Sequence, residues 1–166
     1  MIALGIDPGT ARLGFGVVAL EGGQLRLIDA GCITTSPSET DAERLRRIHH
    51  SLNALLDEHR PERVAIERLY FQRNVRTAMV VGQARGVALL AAGQAGVPCF
   101  SYTPQQIKGA VCGSGRADKE QVQRMVGALL SLPAPPEPDH AADALAVALC
   151  HANGAPLRAA VAGATA

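Results

Sequence analysis

A chain of 166 residues, 48% apolar and 19% charged, is long enough for one domain with a sizeable core and too apolar for a disordered chain. No run reaches the roughly 18 apolar residues of a membrane span, and the MIALGIDPGT start, with Asp7 inside it, has neither the basic flank nor the apolar stretch of a signal peptide. The net charge of +1 conceals a segregation: residues 1–67 carry seven Arg against ten acids, 68–125 eight Lys and Arg against two acids, and 126–166 one Arg against three acids. That basic middle third suits a polyanion-facing surface, and equally an ordinary solvated face. Cys32, Cys99, Cys112 and Cys150 are dispersed without a CxxC pair, as expected of reduced thiols in a cytoplasmic protein rather than of a disulfide frame or zinc site.

In chain order, Ile2–Asp7 reads as a buried strand stopped by Asp-Pro-Gly. Arg12–Leu20 and Gln24–Thr34 are β-rich and separated by Glu21-Gly22-Gly23, a hairpin signal, so three antiparallel strands open the fold. Residues 39–60 change to a helical period, with Leu45, Ile48, Leu52, Leu55 and Leu56 on one face. Pro61 ends that helix, and Arg63–Glu67 is a strand. A long helix rich in Ala and Gly follows over 75–95, then a strand over Val97–Tyr102. Thr103 and Pro104 start a short helix as N-cap and first helical residue. After Gly113-Ser114-Gly115, residues 118–131 form an amphipathic helix; a proline-rich connector then leads to a last helix over 140–152, with Asp139 as its N-cap. This order predicts one α/β domain over 1–153, a mixed five-stranded sheet with helices on both faces. The Ala-rich stretch 154–166 reads as a disordered tail.

Asp7 and Glu67 each end an apolar strand. Strands joined through a helix are normally parallel, so both acids emerge at the carboxyl end of the sheet, where open α/β sheets bind ligands. A strand-end acid also caps turns and helices, which is the plainer reading of Asp7 before Pro-Gly. In PDHAADALA, His140 and Asp143 lie three apart on one helical face, roughly 5–6 Å between Cβ atoms. They sit at the helix N-terminus, whose dipole favours an ionised carboxylate; a solvent-facing helix start would look the same. Asp, Glu, His and Asp converging on one site would suit Mg²⁺ or Mn²⁺ better than zinc. The chain has 14 Arg but only two Lys, Lys108 and Lys119, both in the basic third; a compact ammonium suits a phosphate contact. Tyr70 and Phe71, two of only five aromatics, would point to opposite sides of an extended segment, so an outward Tyr70 ring could stack on an unpaired base. Arg68, Arg73 and Arg76 flank it as phosphate contacts.

The segments MIALGIDPGTARLGFGVV, RVAIERLYFQRN, GQARGVALLAAG, IKGAVCGSGRADKEQVQRMV and PDHAADALAVALCH resemble, in order and spacing, the bacterial RuvC family of Holliday-junction resolvases, over roughly residues 2–152. The resemblance implies an RNase H-like fold, a homodimer, and symmetric nicking of four-way DNA junctions with divalent metal to leave 5′-phosphate and 3′-hydroxyl ends. It also implies work beside the RuvA–RuvB branch-migration complex. The family's four metal positions match Asp7, Glu67, His140 and Asp143; many members carry Asp where this chain has His140, and the neighbouring Asp139 is an alternative donor. The phosphate-contacting lysines match Lys108 and Lys119, and the junction-core aromatic matches Tyr70.

Two ions about 3.5–4 Å apart would serve the in-line displacement. On this expectation Asp7 bridges them, Glu67 serves the ion at the leaving group, and His140 with Asp143 the ion at the attacking water. Mn²⁺ is favoured over Mg²⁺ by the imidazole. Two other readings share the motifs. IGIDPGT also resembles the first phosphate loop of actin/hexokinase-like ATPases, which need a second loop and domain that 166 residues would not hold. A catalytically silent junction-binding module would not need an intact acidic set.

Overall fold

The computed structural model describes residues 1–68 and 75–164, without the side chains of 75, 76 and 155–164. The elements run β1 (Ile2–Asp7), β2 (Arg12–Glu21), β3 (Gln24–Thr34), α1 (Asp41–His59), β4 (Arg63–Glu67), α2 (Val75–Gln94), β5 (Cys99–Tyr102), α3 (Pro104–Cys112), α4 (Lys119–Leu129) and α5 (Asp139–Ala164). They build a five-stranded sheet in the order β3-β2-β1-β4-β5. β1, β2 and β3 pair antiparallel, whereas β4 pairs parallel with β1 and with β5. The expected mixed sheet is therefore observed. Gly22 and Gly23, with φ of 58° and 83°, close the β2–β3 hairpin between Glu21 and Gln24, a left-handed turn that glycine adopts without a Cβ penalty.

Strand parity divides the core in two. Leu4, Ile6, Val17, Val64 and Ile66 face α1 and α2, packing on Ile48, Leu52, Ala84, Ala88 and Ala91. Ala3, Val18 and Ala65 face the other way, toward α3, α4 and α5, with Ile107, Val126, Leu145 and Leu149. Successive residues of a strand alternate faces. Asp7 and Glu67 therefore share the face of Ala3 and Ala65, the face on which α5 lies.

Helix starts follow the local chemistry. Thr40, Thr103 and Asp118 each cap a helix in a reciprocal capping box, with Glu43, Gln106 and Gln121, each satisfying two orphan N–H groups. The start of α5 differs from expectation. Pro138 supplies the carbonyl that accepts from Ala141 and Ala142, and Asp139 is the first helical residue, its side chain turned to α4 instead of capping. The helix also continues past 152 to Ala164.

Candidate metal and phosphate site

β1 and β4 run parallel in register from Ala3–Arg63 to Ile6–Ile66, so Asp7 and Glu67 leave neighbouring strands at the same sheet end. α5 meets that end because β1 and β2 carry glycine where the helix crosses. A Cβ on Gly14, the β2 partner of Asp7, would overlap the carbonyl oxygen of His140 and lie 2.5 Å from its carbonyl carbon. On Gly5 a Cβ would lie 2.6 Å from the Ala148 nitrogen, and on Gly16 it would lie 2.8 Å from that of Leu145. These three glycines let the α5 backbone rest on the sheet and bring its first turn to Asp7. Sequence reasoning missed them, although glycine inside a strand does signal close backbone approach.

The result is a cluster. Donor atoms of Asp7, His140 and Asp143 lie within 4.8 Å of one another, and His140 Nδ1 is 2.8 Å from Asp7 Oδ2. Two carboxylates and one imidazole are a donor set that fits a divalent cation such as Mg²⁺ or Mn²⁺. Glu67 stands outside that group but beside it: with Asp143, Lys108 and Lys119 it lines a cavity of about 210 Å³, floored by Ile107, Val122 and Ala146. Asp139 is not in the group either; its Oδ2 lies 3.0 Å from Lys119 Nζ, and its Oδ1 accepts from Gln123 Nε2 at 3.0 Å. Lys119 reaches Asp143 Oδ2 at 3.5 Å as well, an ion pair the sequence did not reveal. Arg68 is exposed, and its backbone N–H donates to the Tyr102 carbonyl at 2.7 Å. Tyr70 and Arg73 lie outside the described residues, as does the side chain of Arg76 on α2.

Charge crowding shows in the acids. Burial, then the neighbouring Asp7 and Asp143 charges, push the Glu67 carboxyl up to about 7 against the pull of Lys108. Asp143 is also raised, first by burial and then by Asp7, despite the opposing Lys119.

A stability prediction follows from Glu67. Its folded-state value of about 7 lies above the ordinary 4.5, so between those pH values the folded, metal-free protein binds a proton that the unfolded chain has lost. Stability should therefore fall as pH rises through that window and level off above it. At about 1.4 kcal/mol per pH unit the loss is about 3 kcal/mol. Glu67→Gln should remove it, raising Tm by roughly 5–10 °C at pH 8 for a domain of this size, with little change at pH 4.5. Calorimetry in EDTA at the two pH values decides: an equal shift at both would disconnect Glu67 from the crowding.

Comparison with known proteins identifies relatives of the whole fold. Residues 3–151 match the family model described as Crossover junction endodeoxyribonuclease RuvC. The chain is 52% identical over 153 residues to the crossover junction endodeoxyribonuclease RuvC of Pelotomaculum thermopropionicum, spanning 92% of this chain and 93% of that protein. Its fold matches the Thermus thermophilus RuvC structure with a TM-score of 0.90 at 46% identity, over 95% of this chain and 97% of the other. It matches T. thermophilus RuvC in complex with Holliday junction substrate at 0.87 and 44% identity, over 95% and 96% of the two chains.

Proposed function

This chain belongs to the RuvC family of crossover junction endodeoxyribonucleases, and we propose that it resolves Holliday junctions by symmetric paired nicks, hydrolysing phosphodiesters to leave 5′-phosphate and 3′-hydroxyl ends. The observation that carries the mechanism is the convergence of Asp7, His140 and Asp143 within 4.8 Å. Asp7, His140 and Asp143 would hold one divalent cation, and Glu67 with Asp7 a second. When bound, such ions supply an acidified attacking water and a counter-charge for the departing oxygen. The chain's own residues do the rest. Lys108 and Lys119, which line the cavity with Glu67, would set two positive charges against the non-bridging phosphate oxygens. Glu67 must be ionised to serve; its value of about 7 belongs to the metal-free site, so cation binding there should weaken as pH falls below that. Arg68, with Arg73 and Arg76, would contact flanking phosphates, and Tyr70 would stack on an unpaired base at the junction core.

The decisive experiment incubates the protein with a synthetic four-way junction, with and without Mg²⁺ or Mn²⁺, and maps the cuts on a sequencing gel. Paired cuts at symmetric positions support the reading; binding without cutting in either metal would mark a silent junction-binding module. His140 sets the metal preference. Only Asp7, Glu67 and Asp143 are anionic, and imidazole favours transition ions over Mg²⁺. Mn²⁺ should therefore support faster cleavage than Mg²⁺, and His140→Asp should narrow the gap by improving the Mg²⁺ reaction. Equal rates in both metals, unaltered by the substitution, would remove His140 from the cation site.

Paired cutting calls for two sites, and a two-fold homodimer supplies them. On α2, Met79 is 65% and Leu90 54% exposed, with Val80 and Leu89 also outward. A Cβ on Gly86 meets nothing within 4 Å. Met79, Gly86 and Leu90 recur at helical spacing, an unpartnered apolar stripe suited to a second copy. Ala88, on the same helix, is buried in the core. Sedimentation at micromolar concentration should show dimer, and Leu90→Glu should shift it to monomer. Monomer alone, alongside paired cleavage, would defeat the dimer. None of the helices among the described residues is long and apolar enough to cross a membrane. A cytoplasmic location and action beside the RuvA–RuvB complex complete the proposal.

A further inference from the structure

We propose that Asp139 is a positioning residue, which shares the Lys119 ammonium with Asp143 at the cavity and so weakens its hold on that carboxylate, easing the binding of a divalent cation there. The inference rests on the reading of Asp143 as a cation ligand and of Lys119 as a phosphate contact. Lys119 is the first residue of α4, where the positive end of the helix disfavours a cation. Its ammonium is drawn instead to two carboxylates of α5, Asp139 Oδ2 at 3.0 Å and Asp143 Oδ2 at 3.5 Å. The two partners are not equivalent. Asp139 is gripped a second time, its Oδ1 accepting from Gln123 Nε2, and Gln123 lies one turn along α4 from Lys119, on the same helix face. The α4 face thus holds Asp139 at both oxygens, whereas Asp143 meets Lys119 through one oxygen at the longer distance and belongs to the cluster with Asp7 and His140.

Stability does not account for this arrangement. The Lys119 and Asp139 side chains are 54% and 66% exposed, and an exposed pair adds little to folding. Its consequence is where it keeps the charge. An ammonium paired with Asp143 alone would compete with a cation for the same oxygen; a stronger partner outside the cluster relieves that competition. The same pair leaves Lys119 on the cavity wall with Glu67 and Lys108, within reach of a phosphate.

Asp139→Asn keeps the shape and the Gln123 bond while removing the charge. In junction-free protein, Mn²⁺ binding followed by the electron paramagnetic resonance of free Mn²⁺ should weaken about tenfold, the lower range for a partner outside the ligand set. Lys119→Ala alone should tighten it, and the double variant should bind like Lys119→Ala. Half-saturating Mn²⁺ for junction cleavage should rise by the same factor in Asp139→Asn, with junction affinity unchanged or tighter. Simple loss of a nearby negative charge would instead weaken Mn²⁺ equally in both backgrounds, and that result overturns the proposal. Unchanged Mn²⁺ binding in Asp139→Asn overturns it too. No Mn²⁺ binding by the parent protein would defeat the cation-site reading itself, and the proposal with it.

Discussion

Asp7→Asn is expected to lower junction cleavage by more than about a hundredfold, since even residues outside a metal's ligand set commonly cost about 10–100-fold. Junction binding in the absence of metal should stay within a few-fold of the parent. The substitution keeps the side-chain shape and an oxygen for the contact with His140 Nδ1, so the local fold has no steric reason to change. It does remove one of the charges that raise Glu67. Glu67 should therefore titrate lower in Asp7→Asn, and the metal-free protein should lose less stability between pH 4.5 and 7 than the parent does. Cleavage gels, a band-shift titration in EDTA and melting curves at the two pH values together test the point. Joint loss of folding and binding would make Asp7 a structural residue, and cleavage near the parent rate would remove it from the site altogether.

Much of this site was legible in the sequence because strand-end acids obey simple geometry. Asp7 and Glu67 close apolar runs of fixed parity, and a helix between two strands makes them parallel. The His140–Asp143 spacing placed both on one helical face. What escaped is tertiary. No periodicity in β1 or β2 announces that Gly5, Gly14 and Gly16 are vacant for the sake of α5, because that requires knowing which helix crosses which strands. Asp139 read as a cap, since its side chain's true partners, Lys119 and Gln123, sit on another helix. The rise of Asp143 was hidden for a similar reason: desolvation depends on what packs around a carboxylate, not on its own helix. That Glu67 shares its cavity with both lysines could not be read from the sequence, because they come from two different helices.

Gly14→Ala is expected to be as damaging to cleavage as the loss of a ligand, although Gly14 has no functional group. Its added methyl would overlap the His140 carbonyl oxygen, with the carbonyl carbon at 2.5 Å and the His140 Cβ at 3.1 Å. The first two of these are backbone atoms, so no rotamer change relieves the clash; the first turn of α5 must lift or β2 must sink. Both elements belong to packed layers, α5 lying over β1 and β2 through Ala144, Leu145 and Ala148. Overpacking of this kind costs roughly 1–3 kcal/mol or somewhat more, about 3–10 °C in Tm for a domain of this length. Function should suffer more than stability. His140 stands 2.8 Å from Asp7, and a shift of about 1 Å at a reacting centre can cost about a hundredfold in rate. Gly109→Ala supplies the opposite sign: it lies inside α3, where a Cβ meets nothing within 4 Å, and alanine there should stabilise by up to about 1 kcal/mol. Paired melting curves and single-turnover cleavage rates for the two variants make the comparison. If Gly14→Ala melts and cleaves like Gly109→Ala, α5 does not depend on the bare β2 backbone for its seat, and the placement of His140 must come from elsewhere in the helix.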